Sequence, residues 1–245
     1  MISIATAFVS SPNWAELLIK SIRKFTTVPY EIIVVDNGSV TKTLEWLSQQ
    51  KDINILSFSK NMGHGFSMEF ATRMAKYPYV CFLDIDSHIQ RLGWDVDLLE
   101  LYKHDSKTRM IGVEGNAWHP FAPPLFFYER DFILKNNITF NHVPGISTDT
   151  AQKSYWDILN LGYNVKRLLR RPSSYEQCQG DEVFLKDEST FYHHWNGTRF
   201  NEHNPKIRKD KLGDITIEQH LDSKRKVFQH SRVLEILGGE SETKL

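Results

Sequence analysis

The segment YVCFLDID, residues 79–86, decides how the first half of this sequence folds. Its first part is apolar and rich in strand-forming residues, which is typical of a buried β-strand, and it ends on Asp84 and Asp86. Alternate residues of an extended strand point to the same side, so the pattern predicts two neighbouring carboxylates at a strand end. Such a pair either holds a divalent cation or caps the turn that follows.

Three more apolar segments precede this one, and segments with apolar residues at helical spacing separate them. The predicted strands are residues 2–9, 30–39, 53–59 and 79–86, and the predicted helices are residues 12–25, 43–50 and 65–77. This alternation predicts an α/β fold with a mainly parallel central sheet and helices on both faces. Ligands bind such sheets at the carboxyl ends of the strands, where Ser10, Asp36, Asn61, Asp84 and Asp86 lie.

The second half of the sequence is less regular. Predicted strands cover residues 109–116, 125–130, 164–170 and 189–195, with a proline-rich loop at 118–124, a helix at 149–163 and a long amphipathic helix at 215–237. We expect one domain over residues 1–200, with a ligand-binding half (1–90) and a second half (91–200). Residues 201–245 would add a C-terminal helix and a loose polar tail.

The overall composition narrows the function classes. The 245 residues contain 30 Lys plus Arg and 30 Asp plus Glu, so net charge gives no reason to expect a nucleic-acid partner. Two cysteines do not make a disulfide framework, which favours a reducing compartment. The sequence shows neither a signal peptide nor an apolar run of the roughly 20 residues that a membrane helix needs. These features predict a cytoplasmic protein without a transmembrane segment, with peripheral membrane association left open.

The strand-end carboxylates suit a metal-bound diphosphate. A hard divalent cation such as Mn²⁺ or Mg²⁺ takes oxygen ligands from one or two carboxylates and completes its shell with substrate phosphates. Asp36 precedes a turn at Asn37 and could accept hydrogen bonds from a base or a ribose. The segment NMGHG (61–65) begins a helix whose free backbone amides favour anions, and Arg73 could reach a phosphate.

The segments VVDNGS (34–39) and NMGHGFSMEFATRMAKYPYVCFLDID (61–86) together resemble the nucleotide-sugar-binding half of GT-A glycosyltransferases, especially the large inverting family 2. The similarity in order and spacing covers residues 2–90. It implies that Asp36 contacts the nucleobase, that Asp86 binds the metal, and that Asp84 contacts the ribose or the metal. The donor-binding residues that it implies are Ala7, Ser10, Asp36, Asn37, Asn61, Gly63, Arg73, Asp84, Ile85 and Asp86.

The resemblance is looser in the second half. The family places a catalytic acid at the start of a helix, and Asp149 stands there, although Thr148 replaces the glutamate that usually precedes it. An aspartate at a helix start would be held in its charged form by the helix dipole, but Asp149 could equally be a plain N-cap. Some GT-A enzymes use a downstream histidine as a metal ligand, which implicates His194, with His193 and then His88 as alternatives.

The sequence therefore predicts a metal-dependent glycosyltransferase that moves a sugar from a nucleotide-diphosphate sugar, with UDP favoured, to an acceptor hydroxyl. Inversion with Asp149 as general base is the favoured chemistry. A retaining transferase, a sugar-nucleotide nucleotidyltransferase and a non-catalytic glycan-binding protein stay open as alternatives. The acceptor would be a glycan, a lipid-linked molecule or another hydroxyl compound, and the helix 215–237 offers a surface for a homodimer.

Overall fold

The computed structural model of the protein describes residues 1–39, 44–115, 121–145, 149–173, 175, 180–194 and 217–238. Within these ranges the chain forms one mixed sheet with helices packed on it. The strands are β1 (Ile2–Phe8), β2 (Tyr30–Asn37), β3 (Ile53–Phe58), β4 (Tyr79–Leu83), β5 (Ser87–Ile89), β6 (Thr108–Glu114), β7 (Phe121–Glu129), β8 (Asn164–Pro172), β9 (Asp181–Leu185) and β10 (Glu188–His193). The helices are α1 (Pro12–Phe25), α2 (Glu45–Ser48), α3 (His64–Met74), α4 (Trp94–Lys103), α5 (Arg130–Lys135), α6 (Gln152–Asn160), α7 (Ile217–Gln229) and α8 (Ser231–Leu237).

The strand order is β3-β2-β1-β4-β7-β6-β8-β9-β10-β5. The pairs among β3, β2, β1 and β4 are parallel, as is the β6–β8 pair, while the other pairs, such as β4–β7 and β10–β5, are antiparallel. The predicted α/β class is confirmed, and the sheet is mixed because its second half is built largely from antiparallel pairs. Two apolar clusters, one on each face of the sheet, form the core.

The alternating first half follows from its sequence pattern. The four parallel strands consist mostly of buried Ile, Val, Ala and Phe side chains, as strands covered on both faces must. Pro12 stands at the first position of α1, where its missing N–H costs no hydrogen bond, and α1 buries Trp14, Leu17 and Leu18 against the sheet. The parallel register aligns Phe8 of β1 with Asp36 of β2, and Ala5 of β1 with Phe82 of β4.

Three elements differ from the sequence prediction near strand ends. The strand predicted over 79–86 ends at Leu83, and a separate short strand, β5, starts at Ser87. The proline-rich stretch predicted as a loop belongs to β7 from Phe121 onward. Pro124 has no backbone N–H to donate to a neighbouring strand. It is tolerated in β7 because the β6–β7 register shifts between Gly112 and Val113, so Pro124 lies at an irregularity in the pairing.

Several helix boundaries also differ. The second helix covers only Glu45–Ser48 of the predicted 43–50. The helix predicted to begin at Asp149 begins at Gln152, after Ala151 in a left-handed conformation with φ 59°. The long helix predicted over 215–237 is two helices, because His230 adopts an extended conformation between α7 and α8. The predicted loose tail after 238 lies outside the described residues.

The C-terminal helices pack on the same molecule. Val227 and Phe228 of α7 and Val233 and Ile236 of α8 are buried in the cluster that also contains the apolar face of α1. Among the described residues, no helix combines the length and the apolar character that crossing a membrane requires.

Candidate active site

The two carboxylates lie on a tight turn. After β4, the backbone reverses so that the Ser87 N–H donates to the Asp84 carbonyl over 3.0 Å, and β5 starts at once. The sequence predicted an extended strand with Asp84 and Asp86 on one side. The structure brings the two side chains together through the turn instead, and Ile85 between them is buried in the core. The apolar core therefore fixes the turn that carries both carboxylates.

A histidine from the far end of the sequence joins these carboxylates. Strand β10 pairs antiparallel with β5, which aligns His193 with Ser87 next to Asp86. The His193 Nε2 atom lies 3.5 Å from Asp86 Oδ1 and 3.9 Å from Asp84 Oδ2. One ligand atom from each of Asp84, Asp86 and His193 lies within 4.8 Å of the others. The three residues form what we call the Asp-Asp-His cluster.

The Asp-Asp-His cluster fits a hard divalent cation. Ligand atoms bound at about 2.1 Å to one octahedral ion lie roughly 3 to 4 Å apart, which matches the spacing in this cluster. Two carboxylates with one imidazole suit Mn²⁺ or Mg²⁺ better than a soft metal. Burial opposes the charged form of the His193 imidazole, but the hydrogen bond to Asp86 and the charges of Asp86 and Asp84 outweigh it, so the pKa of His193 is raised.

His194, the histidine that the sequence favoured as a ligand, lies elsewhere. Its side chain is fully buried, and its Nε2 atom lies 2.8 Å from Nδ1 of the equally buried His88. The His194 ring also packs 4.6 Å from the ring of Trp14. The structure therefore places His193 beside the aspartates and His194 in the core, because neighbouring residues at a strand end point to opposite sides.

His64 is a site residue that the sequence reasoning missed. It is the first residue of α3, and its Nε2 atom lies 3.1 Å from Asp84 Oδ1. Burial opposes its charged form, but the nearby charges of Asp84, Asp149 and Asp86 raise the pKa of His64 above its ordinary value. The sequence signal is a histidine between Gly63 and Gly65 at a helix start, a segment whose pattern predicts only backbone amides that favour anions. Its pairing with Asp84 depends on how α3 packs on β1 and β2, which brings the start of the helix to the end of β4.

A polar network forms the neighbouring end of β2. The buried Asp36 carboxylate accepts a hydrogen bond from the Ser39 N–H at 3.0 Å. Asn37 accepts from the Met62 N–H at 2.7 Å and donates to Asn61 at 3.0 Å, so the end of β2 is tied to the start of α3. Strand β1 separates β2 from β4, which puts Asp36 about 10 Å from the carboxylate turn. That separation suits a nucleotide lying across the edge.

The remaining predicted donor-binding residues are divided between the two ends of the sheet. Ala7 lies near the end of β1, and Ser10 follows it with φ 45°, its N–H donating to Ser39 Oγ at 2.9 Å. Gly63 is the N-cap of α3, so it also lies at this edge. Arg73 lies in the last turn of α3, about 13 Å along the helix axis from His64. The structure therefore separates Arg73 from the other predicted residues.

Asp149 is exposed and precedes α6. Its carboxylate accepts a hydrogen bond from the Thr150 N–H at 2.8 Å, and α6 starts three residues after it. The prediction that Asp149 is an N-cap or lies in the first turn is therefore wrong, because the cap is Ala151. The charge of Asp149 contributes to the raised pKa of His64, after the larger effect of Asp84.

A half-sheet of parallel strands with a carboxylate turn at its carboxyl edge is the arrangement of the GT-A fold class. Residues 3–149 match the glycosyl transferase family 2, and the chain belongs to that family. The predicted family and enzyme class are thus confirmed.

One curated protein is similar to this chain in sequence. The chain is 25% identical over 127 residues to YwdF of Bacillus subtilis (strain 168), described as an uncharacterized glycosyltransferase; the similarity covers 49% of this chain and 47% of the relative. The chain thus spans about half the length of the curated relative that it matches.

Two solved structures share the fold. The mannosyltransferase PcManGT from Pyrobaculum calidifontis, in complex with GDP-Man and Mn²⁺, is 15% identical with a TM-score of 0.56 over 68% of this chain and 54% of its own. Residues 1–349 of TarS from S. aureus, in complex with UDP-GlcNAc, are 17% identical with a TM-score of 0.54 over 78% of this chain and 57% of that one.

Proposed function

We propose that this protein transfers a sugar from a nucleotide-diphosphate sugar to an acceptor hydroxyl with the help of Mn²⁺ or Mg²⁺. The observation that carries the proposal is the Asp-Asp-His cluster, which lies at the carboxyl edge of a GT-A sheet about 10 Å from the buried Asp36. Asp84, Asp86 and His193 would hold the ion. The ion would offset negative charge on the leaving diphosphate as a Lewis acid.

The donor would lie along the sheet edge between Asp36 and the carboxylate turn. Asp36 would accept hydrogen bonds from the base or the ribose, and the loop around Asn61 and Gly63 would approach the phosphates with backbone N–H groups at the start of α3. A UDP-sugar stays the first donor to test, and the GDP-Man complex of PcManGT makes a GDP-sugar the second.

We assign the general base to Asp149. In an inverting transfer, Asp149 takes the proton of the acceptor hydroxyl, the hydroxyl oxygen forms a bond to the anomeric carbon, and the bond from that carbon to the diphosphate breaks. The leaving nucleotide diphosphate keeps the electron pair. Asp149 is exposed toward an incoming acceptor, and its charge reaches His64 beside Asp84, which supports a position near the reacting atoms. Retention of configuration stays an alternative, since product stereochemistry alone separates the two.

The acceptor class and assembly are part of the same proposal. A glycan, a lipid-linked molecule or another hydroxyl compound could approach Asp149 from solvent. A homodimer would have to use a surface other than the buried faces of α7 and α8, because these face α1. The sequence predicts a cytoplasmic protein and leaves peripheral membrane association open. Fractionation of the native host cell into soluble and membrane fractions would test both points.

The experiment is a donor panel. The protein is incubated with UDP- and GDP-sugars and Mn²⁺, and release of free nucleotide diphosphate is measured for the wild type and for Asp86→Ala. We expect metal-dependent hydrolysis of at least one donor, lost in Asp86→Ala with the fold kept by circular dichroism. Asp131→Ala, which removes a carboxylate that is 68% exposed, is the matched control. If no donor is hydrolysed and no nucleotide diphosphate with Mn²⁺ raises the melting temperature, the proposal fails.

A further inference from the structure

We propose that Lys224, from the C-terminal helix α7, is a positioning residue that holds His193 in the Asp-Asp-His cluster. The inference rests on the proposed function, because it takes His193 as a ligand of the ion. It adds a role for the C-terminal helices, which lie beyond the part of the chain that matches the family and which contact the residue after β10 through Lys224.

His193 lies at the very end of its strand. It is the last residue of β10, aligned with Asp181 of β9 on one side and with Ser87 of β5 on the other, and the pairing with β5 covers only three aligned pairs. The carboxylates that it must join lie more than a hundred residues earlier in the chain. A ligand at a strand end reaches a metal with correct geometry only when the peptide that follows it is also fixed.

The residue after His193, His194, is held at both its backbone N–H and its carbonyl. The His194 N–H donates to the Asp86 carbonyl over 2.9 Å, which continues the β10–β5 pairing into the carboxylate turn. The His194 carbonyl accepts a hydrogen bond from the Lys224 ammonium group. Because Asp86 and Lys224 fix the two backbone groups of His194, the preceding residue His193 has little freedom to turn away from the aspartates.

Lys224 is unusual for a lysine because it is only 3% exposed. Burial of an ammonium group is costly unless it donates to fixed acceptors, so a lysine kept inside indicates a specific partner. Hydrogen bonds from charged donors are about twice as strong as neutral ones, which makes this contact a firm tie to the strand end.

The helix that carries Lys224 is itself anchored. Phe228, one turn after Lys224, packs 4.9 Å from the ring of Trp14 on α1. Helix α8 is tied to α1 as well, since Lys20 donates to the Leu237 carbonyl at 3.0 Å and Lys24 pairs with Glu235 at 2.6 Å. Helix α1 follows β1, which runs between Asp36 and the carboxylate turn. Lys224 therefore connects the end of β10, with His193, to helix α1 and strand β1, which position the proposed donor site.

The test uses Co²⁺ as a spectroscopic probe for the ion, with UDP present. Co²⁺ absorption and apparent Mn²⁺ affinity are measured for the wild type, His193→Ala and Lys224→Met. We expect Lys224→Met to lower the apparent Mn²⁺ affinity about tenfold or more, as the loss of a residue that supports a metal ligand typically does. The Co²⁺ spectrum of this variant should shift toward that of His193→Ala.

Two control variants separate positioning from stability. Lys226→Met removes a lysine on the same helix that is 37% exposed and paired with Asp222 at 2.6 Å, and should change neither readout. Val233→Ala removes buried apolar contacts of α8 without touching His194, so it should lower stability and leave the Co²⁺ spectrum unchanged.

The outcomes distinguish the two proposals. If the wild type binds Mn²⁺ with UDP and Lys224→Met has the wild-type spectrum and affinity, the role of Lys224 is overturned while the proposed function stands. If Lys224→Met does not fold, Lys224→Gln replaces it, because its shorter side chain should also release the His194 carbonyl; a wild-type spectrum there overturns the role equally. If the wild type binds no metal with any nucleotide diphosphate, the proposed function itself fails.

Discussion

His64 and His193 give the carboxylate turn two neighbouring imidazoles, one on each side. His64 Nε2 contacts Asp84 at 3.1 Å, and His193 Nε2 contacts Asp86 at 3.5 Å. Two neighbouring carboxylates repel each other, and the two carboxylates in turn raise the pKa of both imidazoles. In the proposed metal site His193 would be a ligand, while His64 would orient Asp84 from outside the coordination shell, as hydrogen-bonded partners of ligating carboxylates do.

The assignment of His193 as the nitrogen ligand makes a first prediction. His193→Gln should weaken Mn²⁺ binding in the presence of UDP by about 10- to 100-fold, because the ion loses a nitrogen ligand from a preformed cluster. His104→Gln, which changes an exposed histidine at the end of α4, should leave the affinity unchanged. Isothermal titration calorimetry measures both, and equal affinities in the two variants would exclude His193 from the shell.

The raised pKa of His193 predicts a pH dependence. Below this pKa the imidazole holds a proton that the metal must displace, so the apparent Mn²⁺ affinity should rise with pH above the ordinary value of 6.5 and level off past the raised pKa. The same pH series on His193→Gln should show a much weaker rise in this window. An affinity that is flat, or that falls with pH in the wild type, would contradict the ligand role.

At the scale of elements, the turn after β2 depends on one glycine. Gly38 has φ +85°, and a Cβ atom there would lie 2.6 Å from the Lys60 carbonyl carbon, in the loop that carries Asn61. Strain and overlap together should lower the free energy of unfolding of Gly38→Ala by about 1–3 kcal/mol and weaken nucleotide binding through the Asn37–Asn61 network.

The matched control for that variant is Gly162→Ala. Gly162 has φ +80° but nothing within 4 Å of an added Cβ, so it carries the backbone strain without the overlap. Urea unfolding should show a clearly larger decrease in the free energy of unfolding for Gly38→Ala than for Gly162→Ala. Nucleotide affinity should decrease only in Gly38→Ala. Equal losses would mean that the close approach of the β2 turn to the α3 loop does not matter.

The elements of the first half could be predicted because their pattern is local. Buried β-branched strands and helices with apolar stripes follow one another at regular intervals, and they place Asp36, Asp84 and Asp86 at one edge from the sequence alone. The pairing of β10 with β5 could not be predicted, since nothing near His193 specifies a partner strand a hundred residues away. The turn at 84–86, the β7 irregularity at Pro124 and the extended His230 likewise depend on tertiary contacts.

At the scale of the whole molecule, the C-terminal helices share the core with the sheet. Val233 is fully buried in the cluster that contains Trp14, Leu18 and Ile111. We therefore expect Val233→Ala to lower the free energy of unfolding by about 1–3 kcal/mol in a single transition. Tryptophan fluorescence and far-UV circular dichroism should report the same urea midpoint, and a separate early transition for the C-terminal helices would contradict a shared core.

The central claim is that one ion touches both the nucleotide diphosphate and His193. Pulsed electron paramagnetic resonance of the Mn²⁺–UDP complex tests it directly, because phosphorus and nitrogen nuclei bound to the ion give separate couplings. We expect phosphorus and nitrogen couplings to the same Mn²⁺ in the wild type, with the nitrogen coupling lost in His193→Gln. A bound Mn²⁺ without phosphorus coupling, or a nitrogen coupling that survives in His193→Gln, would contradict it.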